Sequence, residues 1–414
     1  MSGSSSRCTE TVRARQSAGV SGREDTVDVE LELDGRVVSS CRIVPLRLRV
    51  GAATIRVDGI GQVETLEGYR HRGFARRVLN VALHRMEDGD ADLSMLYGIT
   101  GFYPQFGYIA VGPETTISLS LGFPGTDLPS GMSVRPFRID DLQDVQRLYE
   151  RAAAHVIGAA VRSGEGYPWT SLLHSVQGGD SQDCRVVTDS GGQIVAYAWR
   201  GEHLPFVRAH AERNPDHFIL AEVAADGSRS ADAALACCRQ WAIHEGERRR
   251  QEVKGILLFL PHVGPVAAAA MHMPATFCRS YGPDGGWMGR VLSARRLFVS
   301  LRSEIFLRLR EAHHLFTGRL HVVTEEEDLS LLIARDGMTI EGGASQASCM
   351  DPTSPTVETL VKLPQATLAR LVMGSYPPHD LLSCLADPLD ARTIDLLETM
   401  FPHRPSQIFL ADRF

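Results

Sequence analysis

Apolar and polar residues alternate along residues 26–57, and this period of two predicts antiparallel β-strands. Asp34-Gly35 and Gly51-Ala52 interrupt the alternation with residue types that favour tight turns. A further strand-like segment covers residues 61–66. The first part of the chain is therefore predicted to form two consecutive hairpins that belong to a larger sheet.

The period changes to three and four residues between positions 73 and 87, which predicts an amphipathic helix. Asp88-Gly89-Asp90 ends this helix, and a short apolar strand at residues 93–97 follows it. The apolar positions of the predicted helix are Phe74, Val78, Leu79, Ala82, Leu83 and Met86.

Composition divides the rest of the chain. The first 25 residues are rich in Ser, Gly and Arg and show no period, which is typical of disorder. Residues 124–131 are rich in Pro and Gly and predict a linker, after which strand and helix patterns start again. The predicted segments are a disordered arm (1–25), a first domain (26–131), a second domain (132–293) and a third domain (294–414).

A short basic loop, Arg70-His71-Arg72-Gly73-Phe74-Ala75, leads from the strand at 61–66 into the predicted helix. Such a loop presents free backbone N–H groups at the positive end of the helix dipole, which suits a pyrophosphate. Gly73 has no side chain, so a phosphate can approach the backbone closely. The competing interpretation of these six residues is a surface turn with basic side chains.

The loop is followed by Gly98-Ile99-Thr100-Gly101-Phe102-Tyr103-Pro104-Gln105-Phe106-Gly107-Tyr108, and the two motifs together resemble the GNAT acyltransferases. Within that superfamily the chain is most similar to the enhanced intracellular survival (Eis) group, whose C-terminal sequence resembles Asp412-Arg413-Phe414. The resemblance implies an α/β (α+β) fold: two tandem GNAT-like mixed-sheet domains, then a sterol-carrier-protein-like α+β domain. No Arg-x-x-Gly-x-Ala follows Val223, so we expect the second domain to have lost its phosphate loop.

The activity implied by this resemblance is transfer of an acetyl group from acetyl-CoA to a primary amine. The acceptor classes are aminoglycoside-like polyamines, lysine side chains and small amines. In such enzymes the backbone of Val63 and Thr65 would pair with the pantetheine arm, Tyr103 would be the general acid, and the C-terminal carboxylate of Phe414 would be the base. The pyrophosphate would lie on Arg70, His71, Arg72, Gly73, Phe74 and Ala75.

The two catalytic candidates differ in how well their ordinary pKa values suit these roles. A phenol with a pKa of about 10 is matched to a departing thiolate with a pKa of about 8.5. A terminal carboxylate has a pKa of about 3.5, too low for an efficient base unless burial raises it. Many GNAT enzymes instead carry a Glu on the central strand, and the corresponding place here is near Gly59, beside Asp58.

Charge and composition limit the classes of partner and the location that the sequence predicts. The net charge of −7 argues against a general nucleic-acid binder. No apolar run is long enough for a membrane span, and the N-terminus lacks a signal-peptide core, so we expect a cytoplasmic protein without a membrane partner. The eight cysteines have no metal-ligand spacing, and no metal is expected. The resemblance further implies a homo-oligomer, a hexamer by analogy.

Two departures from the Eis pattern affect the acceptor side. The first strand and helices of a GNAT fold are expected to be missing, because only residues 1–25 precede the first hairpin. Arg413 stands where the group tends to have an acidic residue, which would weaken attraction for polycationic amines. The missing elements leave a second hypothesis open, a non-catalytic scaffold protein that binds CoA or an apolar ligand.

Overall fold

The computed structural model describes residues 10–17, 25–99, 101–122, 127–162, 164, 166–281, 286–342 and 357–414. The chain divides into two compact units. Unit 1 comprises residues 1–111, 283–403 and Phe414, and unit 2 comprises residues 112–282 and 404–413.

In the described part of the first stretch, the chain forms six strands and one helix. They are β1 (Glu10–Gln16), β2 (Val27–Leu33), β3 (Arg36–Val50), β4 (Ala53–Thr65), α1 (Phe74–Glu87), β5 (Leu93–Tyr97) and β6 (Ile109–Gly112).

The middle stretch alternates strands and helices. They are β7 (Glu114–Ser120), β8 (Ser133–Pro136), α2 (Leu142–Ala153), α3 (Trp169–His174), β9 (Val176–Gln177), β10 (Asp180–Ser181), β11 (Cys184–Thr188), β12 (Ile194–Trp199), α4 (Pro205–Arg213), β13 (His217–Leu220), β14 (Glu222–Ala225), α5 (Ser228–Arg249), β15 (Gly255–Leu258), α6 (Gly264–Ala270) and β16 (Ala275–Ser280).

Among its described residues, the last stretch contributes five strands and four helices. They are β17 (Trp287–Val291), α7 (Ala294–Glu311), β18 (Gly318–Val323), β19 (Asp328–Ile333), β20 (Met338–Gly342), β21 (Val357–Lys362), α8 (Gln365–Met373), α9 (Pro378–Ser383) and α10 (Ala391–Met400).

Unit 1 is built on a seven-stranded sheet of order β1-β2-β3-β4-β5-β17-β6. Neighbouring strands from β1 to β4 are antiparallel, whereas β4 and β5 are parallel. Helix α1 covers one face of the sheet, and its six predicted apolar residues are all buried. Helix α7 packs on β4 as well. A second sheet of order β20-β19-β18-β21 completes the unit.

Unit 2 contains two four-stranded sheets, β14-β12-β11-β8 and β13-β15-β7-β16. β13 and β14 are separated only by Ala221, yet β13 pairs in parallel with β15 while β14 pairs with β12. The chain therefore changes from one sheet to the other at the bend formed by Ala221. The long helix α5 follows it and buries most of an Ala-rich face in the core of the unit.

The mixed α/β character and multiple mixed sheets confirm the coarse fold prediction, but two predicted boundaries differ from the structure. Residues 10–16 of the supposed disordered arm form β1, which pairs along its whole length with β2. The first strand is thus present, because an exposed edge strand can be polar and still hydrogen-bond to its neighbour. Residues 1–9 and 18–24 of the arm lie outside the described residues.

The domain division also differs. Residues 112–131 group with unit 2, where β7 pairs with β15 and β16. Residues 294–403, expected in a separate third domain, group with unit 1. These groupings depend on strand pairing between distant parts of the chain, which local sequence period does not record. In the described ranges, no helix is both long and apolar enough to cross a membrane.

Candidate active site

A gap opens in the main sheet of unit 1 where β4 and β5 separate. Their parallel pairing ends at Ile60 and Leu96. Immediately beyond, β4 has a bulge: Gln62 has a positive φ of 50°, and two β4 residues lie opposite the single β3 residue Cys41. A bulge bends its strand and interrupts pairing. The remaining residues of β4 thus have an open edge on the β5 side.

Val63 and Thr65 present their backbone groups to this open edge. The N–H of Leu66 donates to the carbonyl of Val38 on β3, at 3.0 Å, so the alternate residue Thr65 faces the other way. The Thr65 carbonyl indeed accepts a 3.2 Å hydrogen bond from Nε of Arg70. Val63, two residues earlier, has the same orientation. An extended ligand in the gap could therefore pair with β4 as a missing strand would.

The basic loop leads from this edge into α1. Gly73 precedes the helix with a φ of 78°, and His71 also has a positive φ, of 61°. Left-handed residues of this kind let a loop curl towards the start of a helix. Within the described chain, the backbone N–H groups from His71 to Arg76 donate no hydrogen bond. The loop therefore has backbone donors available at the start of the helix, which is where an anion can bind.

The side chains of the loop divide into two groups. Phe74 is buried against the sheet and Ala75 is half-buried, so they can offer a phosphate only their backbone. Arg70, His71 and Arg72 are exposed. The guanidinium of Arg72 lies 5.6 Å from the ring centre of Tyr69 and 5.2 Å from that of Phe74. This stacking keeps its charge beside the loop without neutralising it.

The C-terminus reaches β4 at the bulge. A Cβ atom added to Gly59 would lie 2.4 Å from the Phe414 ring, and one added to Gly61 would lie 2.9 Å from the Phe414 carboxyl carbon. The ring also contacts Tyr97 at the end of β5, with ring centres 6.0 Å apart. A side chain at either position would collide with Phe414, so both positions require glycine. The terminal carboxyl group therefore lies against β4 beside the gap.

Tyr103 lies at the same end of β5. It begins a short 3-10 turn (Tyr103–Phe106), and its ring packs so closely on Gly98 that an added Cβ there would lie 2.2 Å away. Burial raises the pKa of the Tyr103 phenol above its ordinary value, so it remains protonated at neutral pH. Among the described residues, its hydroxyl has no hydrogen-bond partner and is free to donate to a ligand.

Phe414 and Tyr103 thus lie next to consecutive residues, Tyr97 and Gly98, where β5 leaves β4. Tyr103 belongs to the core formed with α1. Gly59 and Gly61 alternate with Ile60, which is in that same core, so Phe414 lies on the opposite face of β4. The structure places an acid candidate and a carboxylate on the two sides of the gap.

Other residues near the motif are structural. Tyr108 is fully buried and shares a 2.6 Å hydrogen bond with Ser94 of β5, so it is part of the core. The glycines Gly59, Gly61 and Gly98 were missed as parts of the site. The signal that could have revealed them is their position inside strand-like apolar segments, where glycine is unfavourable unless another group approaches closely.

Asp58, at the strand position where many relatives have a Glu, faces away from Phe414 because it alternates with Gly59. Burial, and secondly the charge of Asp90, raise its pKa from 3.8 to about 6, although Arg85 opposes this shift. Asp58 is therefore a half-buried carboxylate on the α1 side of β4, on the opposite face from Phe414.

Asp58→Asn should make the protein more stable at pH 8, by about 1–2 kcal/mol once partial exposure is allowed for. The folded-state pKa is raised, so the favourable contribution of Asp58 is full below pH 4 and is lost as the pH rises through about 6. Denaturant unfolding at pH 5 and pH 8 measures this. Equal gains in the free energy of unfolding at both pH values would contradict the raised pKa of Asp58.

Comparison with known proteins supports the enzyme class. Residues 10–111 match the family model described as an acetyltransferase (GNAT) domain. The chain therefore carries an acetyltransferase domain of the GNAT type, and domains of this type use acetyl-CoA. A search of the curated proteins found no match to the sequence. Among the described residues, no cluster of His, Cys, Asp or Glu could hold a metal ion.

Solved structures share the fold at low sequence identity. A probable N-acyltransferase from Enterococcus faecalis V583 has a TM-score of 0.66 and 14% identity, covering 94% of this chain and 89% of its own. A GCN5-related N-acetyltransferase from Kribbella flavida has a TM-score of 0.62 and 17% identity, covering 94% and 87%. Eis1 from Mycobacterium abscessus has a TM-score of 0.56 and 12% identity, covering 94% and 90%. These likenesses establish a GNAT-like mixed-sheet fold.

Proposed function

We propose that the protein is an N-acetyltransferase that transfers the acetyl group of acetyl-CoA to a primary amine. This proposal rests on the position of the Phe414 carboxyl group, which lies against Gly61 beside the gap between β4 and β5. The anion-binding loop continues from the same strand. Strand β4 thus links the proposed phosphate-binding loop to the proposed base, the Phe414 carboxylate.

Acetyl-CoA would bind along β4. Its pyrophosphate would accept hydrogen bonds from the free N–H groups of the loop at Arg70–Ala75 and face the positive end of α1. Its pantetheine arm would pair with the outward-facing backbone groups of Val63 and Thr65. This arrangement brings the thioester towards the bulge, where Phe414 and Tyr103 flank the gap.

Two proton transfers then complete the reaction. The Phe414 carboxylate takes a proton from the amine, whose nitrogen attacks the thioester carbonyl carbon and forms the C–N bond. The tetrahedral intermediate collapses by breaking the C–S bond, and the Tyr103 hydroxyl gives its proton to the leaving sulfur. The products are an N-acetyl amine and free CoA. The buried, protonated phenol and the positioned carboxylate suit these roles.

Unit 2 would not bind a second CoA. Only Asp226 and Gly227 connect β14 to α5, whereas eight residues, 66–73, make the corresponding connection in unit 1. Asp226 accepts a 2.6 Å hydrogen bond from Ser230 in the first turn of α5. A short connection with a carboxylate at the helix start opposes phosphate binding. The change from one sheet to the other at Ala221 supports the tandem GNAT-like arrangement.

Offered acetyl-CoA and a panel of polyamines, lysine derivatives and small amines, the protein should release free thiol with at least one primary amine. The matched alcohols should give no release above background. Thiol titration gives the rate, and mass spectrometry identifies the N-acetyl product. CoA binding without release for every amine would favour the scaffold hypothesis instead.

The finer features implied by the Eis resemblance remain predictions. They are a sterol-carrier-protein-like fold for residues 294–414, assembly into a hexamer and a cytoplasmic location. The four-stranded sheet β20-β19-β18-β21 and helices α7 to α10 give the third segment the α+β composition that this prediction requires.

A further inference from the structure

A second basic region of unit 1 lies at the opposite end of α1 from the basic loop. An open cleft of about 540 Å³ is bordered by the β3–β4 hairpin, the connection from α1 to β5 and the first turns of α7. Because α1 has 14 residues, the cleft and the loop are about 20 Å apart along the helix axis. The charged side chains that line the cleft are Arg47, Arg56, Arg295, Arg296, Asp90 and Asp92.

The two carboxylates of the cleft do not balance its four guanidinium groups. Asp90 forms an ion pair with Arg56 at the surface. Asp92 is 1% exposed and accepts a 2.8 Å hydrogen bond from the backbone N–H of Arg56 and a 2.9 Å hydrogen bond from the hydroxyl of Ser300. Four arginines against two aspartates leave an excess of two positive charges in the lining.

Three of the arginines have no carboxylate within ion-pair distance in the part of the chain that the structure describes. The side chains of Arg47 and Arg295 are exposed and form no hydrogen bond to a described residue. Arg296 donates to backbone carbonyls, from Nε to Ala91 at 3.0 Å and from Nη1 and Nη2 to Glu87 at 3.3 Å. These carbonyl groups hold the guanidinium in place and leave its net charge unchanged.

Two local arrangements in the cleft are unfavourable for the fold by themselves. Arg47 and Arg56 lie directly opposite each other on neighbouring antiparallel strands, where like charges repel. Arg295 and Arg296 lie in the first turn of α7, near the positive end of its dipole, and that turn contains no acidic residue. Local conflicts of this kind are typical of functional sites. An anion in the cleft would relieve both of them.

The backbone at the start of α7 is already satisfied by a carboxylate of the same unit. Glu327 accepts a 3.1 Å hydrogen bond from the N–H of Arg295 and a 2.7 Å hydrogen bond from the hydroxyl of Ser293. A ligand in the cleft would therefore meet guanidinium groups instead of free helix N–H groups. A guanidinium can donate two parallel hydrogen bonds to a phosphate, and guanidinium groups from separate segments suit an anion with several oxygen atoms around one centre.

We propose that this cleft binds a dianionic phosphate group through Arg47, Arg295 and Arg296. The excess of two positive charges matches inorganic phosphate or a phosphate monoester, which carries a charge of about −2 near neutral pH. The site is separate from the proposed acetyl-CoA site and does not depend on the proposed function. A bound phosphate would connect β3 with the start of α7 and stabilise the folded state.

The test titrates inorganic phosphate and glycerol 3-phosphate, separately and at constant ionic strength, into the protein saturated with CoA. CoA keeps the basic loop occupied, so calorimetry should report one phosphate per chain and Tm should rise with phosphate concentration. Tighter binding of glycerol 3-phosphate would identify a phosphorylated small molecule as the ligand, and equal or weaker binding would identify free phosphate. Binding of an acidic peptide without binding of either phosphate would overturn the proposal.

Arg47→Gln and Arg295→Gln should each weaken phosphate binding at least about tenfold, because each loses a charge-assisted contact. The matched control is Arg302→Gln, since Arg302 is an exposed arginine of α7 that does not line the cleft. Its Kd should stay within about twofold of that of the unmodified protein. Because only the two cleft variants should lose affinity, the comparison isolates the cleft even if CoA does not bind.

The Tm measured without phosphate separates a binding role from a structural one. Arg47→Gln should keep this Tm or raise it, because the substitution removes the repulsion from Arg56. Its Tm should also rise less than that of Arg302→Gln when phosphate is added. A lower Tm without phosphate, together with unchanged phosphate affinity, would assign Arg47 a structural role and overturn the proposal. Equal losses of affinity in the control and the cleft variants would overturn it as well.

Discussion

We expect the addition of two glycines after Phe414 to lower kcat by about 100-fold and to leave KM for acetyl-CoA unchanged. Removal of a general base typically reduces a rate by 10²–10⁴-fold. The extension moves the carboxylate away from its place on Gly61 and puts a neutral peptide group there. The phosphate loop and the outward-facing backbone of β4 are untouched, so coenzyme binding is preserved. Steady-state kinetics with the best amine of the panel measures both constants.

A chain whose Phe414 ends in a carboxamide is the matched control for steric effects. It keeps the ring against Gly59 and Tyr97 and changes only the charge and basicity of the terminal group. We expect its kcat to fall as far as that of the extended chain. If the amidated chain retained full activity while the extended chain did not, the terminus would act through its shape alone, and the carboxylate would not be the base.

We expect Tyr103→Phe to lower kcat at least about tenfold, again with little change in KM for acetyl-CoA. The substitution removes only the hydroxyl, so the ring still packs on Gly98 and against Phe102. The departing thiolate then loses its proton donor. Because burial raises the Tyr103 pKa, the donor form persists well above neutral pH, and the wild-type rate should not decline through its ionisation between pH 7 and 9. A pH–rate profile and single-turnover assays measure both effects.

Tyr108→Phe provides the control for loss of a buried tyrosine hydroxyl. It breaks the hydrogen bond with Ser94 and should destabilise the protein by about 1 kcal/mol. Its ring packs edge-on against Tyr103, with ring centres 6.2 Å apart, and phenylalanine keeps that ring, so kcat should remain within twofold. Equal losses of kcat in the two variants would show that Tyr103 matters only for packing, and the general acid would have to be sought elsewhere.

Local pattern was enough to predict the elements around the loop. The helix expected over residues 73–87 is α1, which runs from Phe74 to Glu87 with the expected buried face. The turns at Gly35 and Gly51 both have the positive φ that the hairpins require. The strand β1 was missed, because its residues are mostly exposed and polar and its hydrogen bonds go to a distant strand. A period of two cannot appear where neither face is buried.

The amino-acid sequence by itself determined which groups are available: an Arg-x-x-Gly-x-Ala loop, a tyrosine after a strand and a terminal phenylalanine. These signals are local, because loop geometry and helix periodicity depend on neighbouring residues. Only the tertiary structure decided that the Phe414 carboxyl group lies on Gly61 and that Asp412 pairs with Arg162, 250 residues earlier in the chain. Such contacts depend on how distant segments pack once the strands have paired, and no local pattern records that.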